Sequence, residues 1–151
     1  MLNVSFVLYQ PNWKQVADLT EVILQLDKVN HVYWIDNSPQ EQYHLPLQSP
    51  KITYNHNANN LGYGAAHNIA IRESIYDDVP YHLVVNSDIV LTAEALETML
   101  TFMIQHSEVG SLMPKVVYPN GQLQYLCKLL PTPIDVFGRR LYKANKTTNS
   151  L

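Results

Sequence analysis

The chain has 151 residues, of which 46% are hydrophobic and 15% are charged, and it contains 9 Pro, 5 Gly and a single Cys. This composition fits one globular domain with a substantial core, and it excludes a disordered chain, a collagen-like repeat and a disulfide scaffold. Residues 1–127 carry 5 Lys and Arg against 12 Asp and Glu, a net charge of −7, whereas residues 128–151 carry a net charge of +4. The acidic body argues against nucleic-acid binding, which requires a basic face.

The first part of the chain predicts a strand, a helix and a second strand. Leu2–Tyr9 alternates its apolar side chains with the period of a strand. Asn12 is followed three residues later by a glutamine, as in a capping box, and apolar residues then recur at helical spacing to about residue 28. The apolar run at residues 31–36 predicts a second strand, which ends on Asp36.

Short strands and helices continue to alternate through the middle of the chain. A third strand is predicted at Lys51–Tyr54 and a fourth at Tyr81–Val85, with a helix at Gly62–Ile75 between them. Thr92 is a favourable N-cap for a further helix. This alternation indicates an α/β architecture with a mostly parallel sheet.

Residues 109–126 predict a hairpin that follows the last helix. Residues 109–118 have an extended pattern interrupted by Pro114, which suits an edge strand or a bulge. Residues 119–121 form a turn signal, and residues 122–126 are the expected return strand.

Polar clusters follow three of the predicted strands, where an α/β sheet binds its ligands. They are Tyr9-Gln10, Asp36-Asn37-Ser38 and Asn86-Ser87-Asp88. The last cluster offers hard oxygen ligands for Mg²⁺ or Mn²⁺, but on the tripeptide alone an Asx-turn that ends the strand is the preferred interpretation. Asp36 similarly either accepts from a nucleobase N–H or caps a turn.

The run Asn60–Asn68 contains two glycines at the start of a predicted helix, where phosphate groups bind favourably. It partly matches a dinucleotide-binding fingerprint, but His67 occupies the position of the third glycine and the run follows the third strand. A nicotinamide-dependent oxidoreductase is therefore disfavoured. The sequence also lacks a nucleophile elbow and a phosphate-binding lysine loop, so hydrolase and nucleoside-triphosphatase functions gain no support.

Taken in order, several stretches resemble the N-terminal half of family 2 glycosyltransferases of the GT-A fold, particularly bacterial rhamnosyltransferase-type members. The stretches are Val4–Tyr9, Ile35–Ser38, Asn59–Asn68, Leu83–Asp88, Val109–Lys115, Leu130–Pro133 and Phe137–Arg140. The resemblance implies a Rossmann-like, three-layer α/β/α fold. It also implies a donor-binding subdomain at residues 1–127, and a basic, partly disordered tail at residues 128–151 that leads towards an acceptor half.

The resemblance also assigns roles to individual residues. Asp36 matches the carboxylate that contacts the base of the donor nucleotide, and Asp88 matches the last residue of the family's metal motif, which holds Mg²⁺ or Mn²⁺ on the donor diphosphate. Asn86 replaces the first Asp of that motif, so metal binding should depend on the nucleotide. The remaining residues expected to line the donor site are Tyr9, Asn60, Gly62 and Asn68.

The implied activity is the metal-dependent, inverting transfer of a sugar, with rhamnose from dTDP-rhamnose favoured, to a cell-surface polysaccharide or lipid-linked acceptor. No residue of the chain matches the family's catalytic base, and Asp135 falls in no such motif. The alternative is a truncated, non-catalytic nucleotide-sugar-binding module. We expect a cytoplasmic protein without a signal peptide or membrane span, whose apolar and basic segment at residues 134–143 either contacts the membrane surface or packs on the acceptor half. An apolar surface left uncovered would favour self-association.

Overall fold

The computed structural model describes residues 1–42 and 44–124. These residues contain four strands and three helices, which alternate along the chain except that β3 follows β2 with no helix between them. In chain order they are β1 (Leu2–Leu8), α1 (Trp13–Leu24), β2 (Val29–Asp36), β3 (Ile52–His56), α2 (Tyr63–Tyr76), β4 (Tyr81–Val85) and α3 (Ala93–Gln105).

The four strands form one sheet in the order β3-β2-β1-β4, and every neighbouring pair is parallel. β1 pairs with both β2 and β4, so that Phe6 lies beside Trp34 on one side and beside Val85 on the other. The chain builds outward from β1 through β2 to β3 and then returns to place β4 on the opposite side of β1. The predicted α/β class with a mostly parallel sheet is confirmed.

The helices lie in two layers on the two faces of the sheet. One apolar cluster joins α1 and α3 to one face, through side chains that include Phe6, Ile23 and Leu100. A second, smaller cluster joins Ala66 and Ala70 of α2 to the other face. The result is the three-layer α/β/α arrangement that the sequence resemblance implies.

Trp34 anchors the larger cluster, and its one polar atom is hydrogen-bonded inside it. The indole Nε1 donates to Thr20 Oγ1 at 3.1 Å, and that hydroxyl donates to the Val16 carbonyl at 2.7 Å. All three residues have no exposed surface. Thr20 therefore satisfies a buried donor that an aliphatic residue would leave without a partner.

The face of β1 that packs against α2 is polar. Asn3 and Ser5 are fully buried there. Asn3 Nδ2 donates to Ser74 Oγ at 3.0 Å, and Ser5 Oγ lies 2.7 Å from both His67 Nδ1 and His82 Nε2. A continuous chain of polar side chains thus joins β1, β4 and α2.

The donors and acceptors in this series of polar side chains can be assigned by starting from Ser74. Ser74 Oγ donates to the Ala70 carbonyl at 3.1 Å, so His82 Nδ1 must donate to Ser74 Oγ at 2.7 Å. The neutral His82 ring then accepts at Nε2 from Ser5, which in turn accepts from His67 Nδ1. His67 Nε2 is left as a buried acceptor without a hydrogen-bond partner in the described part of the chain.

Several element boundaries differ from the sequence prediction. α1 ends at Leu24 instead of near residue 28, because the backbone N–H of Leu26 bonds to the Ile23 carbonyl three residues back and tightens the last turn. β2 begins two residues earlier than predicted, and β3 extends to His56. The N-caps at Asn12 and Thr92 are confirmed, since both side chains accept from backbone N–H groups of the following turn.

The predicted hairpin at residues 109–126 is largely wrong within the described residues. Residues 109–116 form no strand, and a single antiparallel bridge joins Val117 to Leu123. The turn between them is confirmed, with Gly121 at a φ of +80° and its N–H donating to the Tyr118 carbonyl. Pro114 removes a backbone donor from the segment, which disfavours a longer ladder.

Met1–Leu112 forms one compact unit, and the described residues 113–124 belong to a second. The predicted basic tail at residues 128–151, and with it Asp135, lies outside the described residues. No helix in the described ranges is long and apolar enough to cross a membrane.

Replacing Thr20 with Val should destabilise the fold by about 1–3 kcal/mol, because the indole N–H of Trp34 loses its acceptor inside the core. Urea unfolding of both proteins measures the difference. Thr98→Val is the matched control, since the Thr98 hydroxyl makes the same kind of bond to a carbonyl one turn back but lies on an exposed helix face. Equal losses in the two variants would contradict the role of Thr20.

The buried histidines should make stability depend on pH. Burial lowers the pKa of His67 and of His82 to about 4, and the neighbouring His67 ring contributes to the lowering at His82. The unfolded chain therefore binds more protons than the folded chain between about pH 6.5 and pH 4. The stabilisation is fully present above that window and is lost as the pH falls through it.

Urea midpoints at about pH 7.5 and about pH 5 test this, and the lower pH should give the lower midpoint. The double variant His67→Gln/His82→Gln should show a smaller difference between the two pH values. His44→Gln, at an exposed position, should keep the full difference. A difference that the double variant retains would contradict the assignment to these two rings.

Candidate functional site

The polar strand ends meet at one edge of the sheet. The parallel register places Leu8 beside Asp36, and Val85 beside Phe6, so residues 86–88 continue alongside the last residues of β1. The strand order reverses between β1 and β4, which is the switch point where α/β sheets bind ligands. With adjacent strands about 4.8 Å apart, Asp36 and Asn86 are separated by about 10 Å across β1.

Asp36 lies at the end of β2 with only 1% of its surface exposed. Its Oδ1 accepts from the Ser38 N–H at 2.8 Å, and its Oδ2 accepts from the Tyr54 hydroxyl at 2.8 Å. Burial raises the pKa of Tyr54 to about 12, and the bond to Asp36 adds to this effect, so the hydroxyl stays a donor. Asp36 does cap the following turn, and each carboxylate oxygen keeps a lone pair for a ligand.

A pocket of about 430 Å³ opens beside Asp36. Its volume lies within the range of roughly 300–1,000 Å³ that is usual for small-molecule sites. Its lining residues come from the segments that follow β1 and β2, and they are Gln10, Pro11, Trp13, Asp36, Ser38, Pro39, Gln40, Glu41 and Gln42.

One hydrogen bond fixes the two segments that form this pocket. The backbone N–H of Gln10 donates to Ser38 Oγ at 2.7 Å. Gln10 has a φ of 47°, in the left-handed region that a non-glycine residue adopts only when its surroundings hold it there. Ser38 in turn is held by its N–H bond to Asp36. The pocket is therefore preformed by the chain itself.

A second group of polar side chains lies on the other side of β1. The Tyr63 hydroxyl, at the start of α2, donates to Asn86 Oδ1 at 2.9 Å. Burial raises the pKa of Tyr63, and the negative charge of Asp88 contributes to the shift. Asp88 is exposed and lies close enough to act on Tyr63 electrostatically.

The remaining predicted site residues have less specific surroundings. Asn60 Oδ1 accepts from the Gly62 N–H at 2.9 Å, which is an Asx-turn, and Gly62 precedes α2 with a φ of +79°. That backbone conformation explains the glycine. Asn68 is exposed on the second turn of α2, and Tyr9 is exposed directly after β1.

The structure thus brings the predicted residues together in two groups at one sheet edge. Asp36 belongs to the pocket, while Asn86 and Asp88 gather around Tyr63. Within residues 1–42 and 44–124, no three His, Cys, Asp or Glu side chains are placed to hold a metal ion. A lone carboxylate still fits Mg²⁺ or Mn²⁺ where a nucleotide supplies phosphate oxygens.

Sequence reasoning missed two tyrosines at the site. Tyr54 reaches Asp36 from the neighbouring strand, and Tyr63 reaches Asn86 from 23 residues away. The signal for Tyr63 was its place between the two glycines of the Asn60–Asn68 run, and the signal for Tyr54 was its position on a strand that pairs with β2.

Comparison with known proteins gives two matches. The family model described as Glycosyl transferase family 2 matches residues 19–148. The crystal structure of S. aureus TarS 1-349 is similar in fold, with a TM-score of 0.51 at 18% sequence identity, over 70% of this chain and 33% of that chain. This chain therefore spans about a third of the length of that structure. No curated protein matches the chain.

The family match extends well beyond half of the chain. It begins within α1 and takes in β2, α2 and β4, which carry Asp36, Tyr63 and the segment leading to Asp88. The structural likeness agrees with the GT-A type of fold that the resemblance implies. The chain belongs to glycosyl transferase family 2.

Proposed function

We propose that residues 1–127 form the donor-binding part of a glycosyltransferase that transfers a sugar from a nucleoside diphosphate to an acceptor hydroxyl. The observation that carries the proposal is the arrangement of Asp36, Asn86 and Asp88 along one edge of a parallel sheet, at its switch point. Family membership supports the reaction class. It gives no support to the alternative of a non-catalytic binding module.

The pocket beside Asp36 suits the base of the donor nucleotide. Asp36 is buried, so a ring N–H that donates to one of its free lone pairs forms a hydrogen bond shielded from water. Trp13 lines the same pocket and offers an aromatic surface for the base. The Gln10–Ser38 bond keeps this pocket open before the ligand arrives, which lowers the cost of ordering on binding.

Asp88 would hold a divalent ion together with the donor's phosphates. An Mg²⁺ or Mn²⁺ ion at that position supplies positive charge that stabilises the departing diphosphate. The exposed carboxylate leaves room for the several water and phosphate ligands that Mg²⁺ retains. Asn60, Gly62, Asn68 and Tyr9 are proposed to line the remainder of the donor site.

The transfer is proposed to invert the sugar's configuration. Such a displacement requires a base within about 3 Å of the acceptor hydroxyl, directly or through one water. No described carboxylate is assigned to that role, and the acceptor site is proposed to lie with the rest of the enzyme. Rhamnose carried by dTDP is the favoured donor, and a cell-surface glycan or lipid-linked acceptor met at the inner face of the membrane is the favoured partner.

The first test is thermal unfolding with dTDP, UDP, GDP and NAD, each with and without Mg²⁺ or Mn²⁺. A nucleotide at about 100 times its dissociation constant adds roughly 2.7 kcal/mol of stability, a shift of several degrees at this size. We expect the shift with dTDP or UDP in the presence of metal. A shift with NAD alone, or none with any nucleotide, would contradict the proposal.

Asp88→Ala should remove the metal-dependent part of nucleotide binding while leaving the fold intact, because it deletes the carboxylate that shares the ion with the phosphates. Titration calorimetry with and without Mg²⁺ measures that part. Asp27→Ala is the matched control, since Asp27 is an exposed carboxylate two residues before β2, at the opposite edge of the sheet. A metal effect of equal size in the Asp88 variant and the unsubstituted chain would refute the role of Asp88.

A further inference from the structure

Tyr63 connects two elements across the switch point of the sheet. It is the first residue of α2, and its hydroxyl donates to Asn86 Oδ1, directly after β4, at 2.9 Å. About half of the Tyr63 surface is exposed, so the residue lies where the core meets the candidate site.

The Tyr63 ring is held in position by the buried His67 ring. The ring packs edge-to-face on His67, with the centroids 4.4 Å apart and the planes at 75°. His67 is buried, and its Nδ1 bonds to Ser5 Oγ on β1 at 2.7 Å. A continuous set of contacts therefore runs from the centre of the sheet through His67 to the Tyr63 hydroxyl and on to Asn86.

This contact determines which part of the Asn86 amide faces a ligand. A side-chain amide has one acceptor oxygen and one NH₂ group with two donor hydrogens. Tyr63 uses one lone pair of the oxygen and so fixes the orientation of the amide, while the Nδ2 group makes no hydrogen bond to any residue in the described ranges. The amide thus presents a hydrogen-bond donor at the position where the family's motif has a carboxylate. An ionised carboxylate has no donor and can only accept hydrogen bonds.

We propose that Tyr63 is a positioning residue that holds Asn86 Oδ1, so that Asn86 Nδ2 donates a hydrogen bond to an oxygen of the donor's nucleoside diphosphate. This inference rests on the proposed function. In this assignment Asn86 donates a hydrogen bond to an oxygen of the donor nucleotide, while Asp88 and the phosphates bind the divalent ion. Because the charge of Asp88 already acts on Tyr63, which contacts Asn86, the neutral amide of Asn86 also avoids a second negative charge beside the diphosphate.

The test measures the dissociation constant of dTDP or UDP, whichever the unsubstituted chain binds more tightly, in the presence of Mg²⁺. Tyr63→Phe keeps the ring on His67 but removes the hydroxyl, and we expect binding about threefold to tenfold weaker. Tyr76→Phe is the control, because Tyr76 is an exposed tyrosine at the other end of the same helix. Circular dichroism and thermal unfolding check that both variants remain folded.

Double substitution distinguishes positioning from direct contact. If Tyr63 acts through Asn86, Tyr63→Phe should cause no further loss in an Asn86→Ala background. Losses that multiply in the double variant would mean that Tyr63 touches the nucleotide itself, and they would overturn the positioning role. Unchanged affinity in the single Tyr63→Phe variant would overturn it as well.

Asn86→Asp tests the polarity of the contact. The Asp side chain has nearly the same shape and can still accept from Tyr63, but it offers no donor and adds a negative charge. We expect nucleotide binding in Mg²⁺ to weaken by about tenfold or more. Tighter metal-dependent binding by this variant would show that the position serves the ion, and it would overturn the assignment.

Nucleotide binding by the unsubstituted chain distinguishes a failure of this inference from a failure of the proposed function. If it binds no nucleoside diphosphate under any metal condition, the proposed function fails and the assignment of Asn86 fails with it. If it binds but the Tyr63 and Asn86 variants bind equally well, the inference alone fails and the donor site stands.

Discussion

Two buried polar side chains on β1 determine what can pack against one face of the sheet. Asn3 and Ser5 have no contact with solvent, so each needs hydrogen-bond partners from the neighbouring strands and from the helix layer on that face. α2 supplies Ser74 and His67, and β4 supplies His82. An apolar helix in this layer would remove the bond from His67 to Ser5 and would leave Asn3 Nδ2 as a buried donor without its acceptor, at a cost of about 1–3 kcal/mol for that donor.

This requirement on β1 also sets the geometry of the candidate site. His67 lies in the first turn and a half of α2, so its bond to Ser5 fixes the N-terminal end of that helix over β1. Tyr63 packs on His67 and reaches Asn86, which follows the strand on the far side of β1. The site is thus built outward from the core, and its second element, the pocket beside Asp36, is fixed independently by the Gln10–Ser38 bond.

Much of the fold could be predicted from the sequence, because it depends on local patterns. β4 lies where its apolar run predicted it, and the N-cap at Thr92 needs only the following turn. The end of α1 could not be predicted, since Leu26 remains apolar and buried after the helix has ended. The hairpin prediction was wrong because the sequence pattern indicated an extended backbone at residues 109–116 but did not specify a strand with which it could pair.

The site was partly predictable for the same reason. Strand ends can be located from a sequence, and parallel strands bring their ends to one edge, so Asp36, Asn86 and Asp88 could be grouped in advance. The partners of these residues could not. Tyr54 and Tyr63 reach them across 18 and 23 residues of chain, and such contacts depend on how α2 and β3 pack, which local periodicity does not encode.

The distribution of basic residues limits how a diphosphate can bind at this edge. Within residues 1–42 and 44–112, Lys28 approaches Glu97, and Lys51 donates to the Val29 carbonyl at the opposite end of β2. Lys14 pairs with Asp18, and Arg72 lies nine residues into α2, about 14 Å along the helix from its start.

Lys28, Lys51 and Arg72 lie away from this edge, and Lys14, which follows β1, is paired with Asp18. Under the proposed function, a divalent ion would therefore offset most of the charge of the two phosphates. A second carboxylate at position 86 would help to hold the ion but would also repel the phosphates. In the proposed arrangement Asn86 avoids that repulsion, and with its oxygen held by Tyr63 it would contribute a donor to the nucleotide in place of a ligand to the metal. In that proposal the ion would depend on the nucleotide for most of its ligands, and metal binding and donor binding would be coupled.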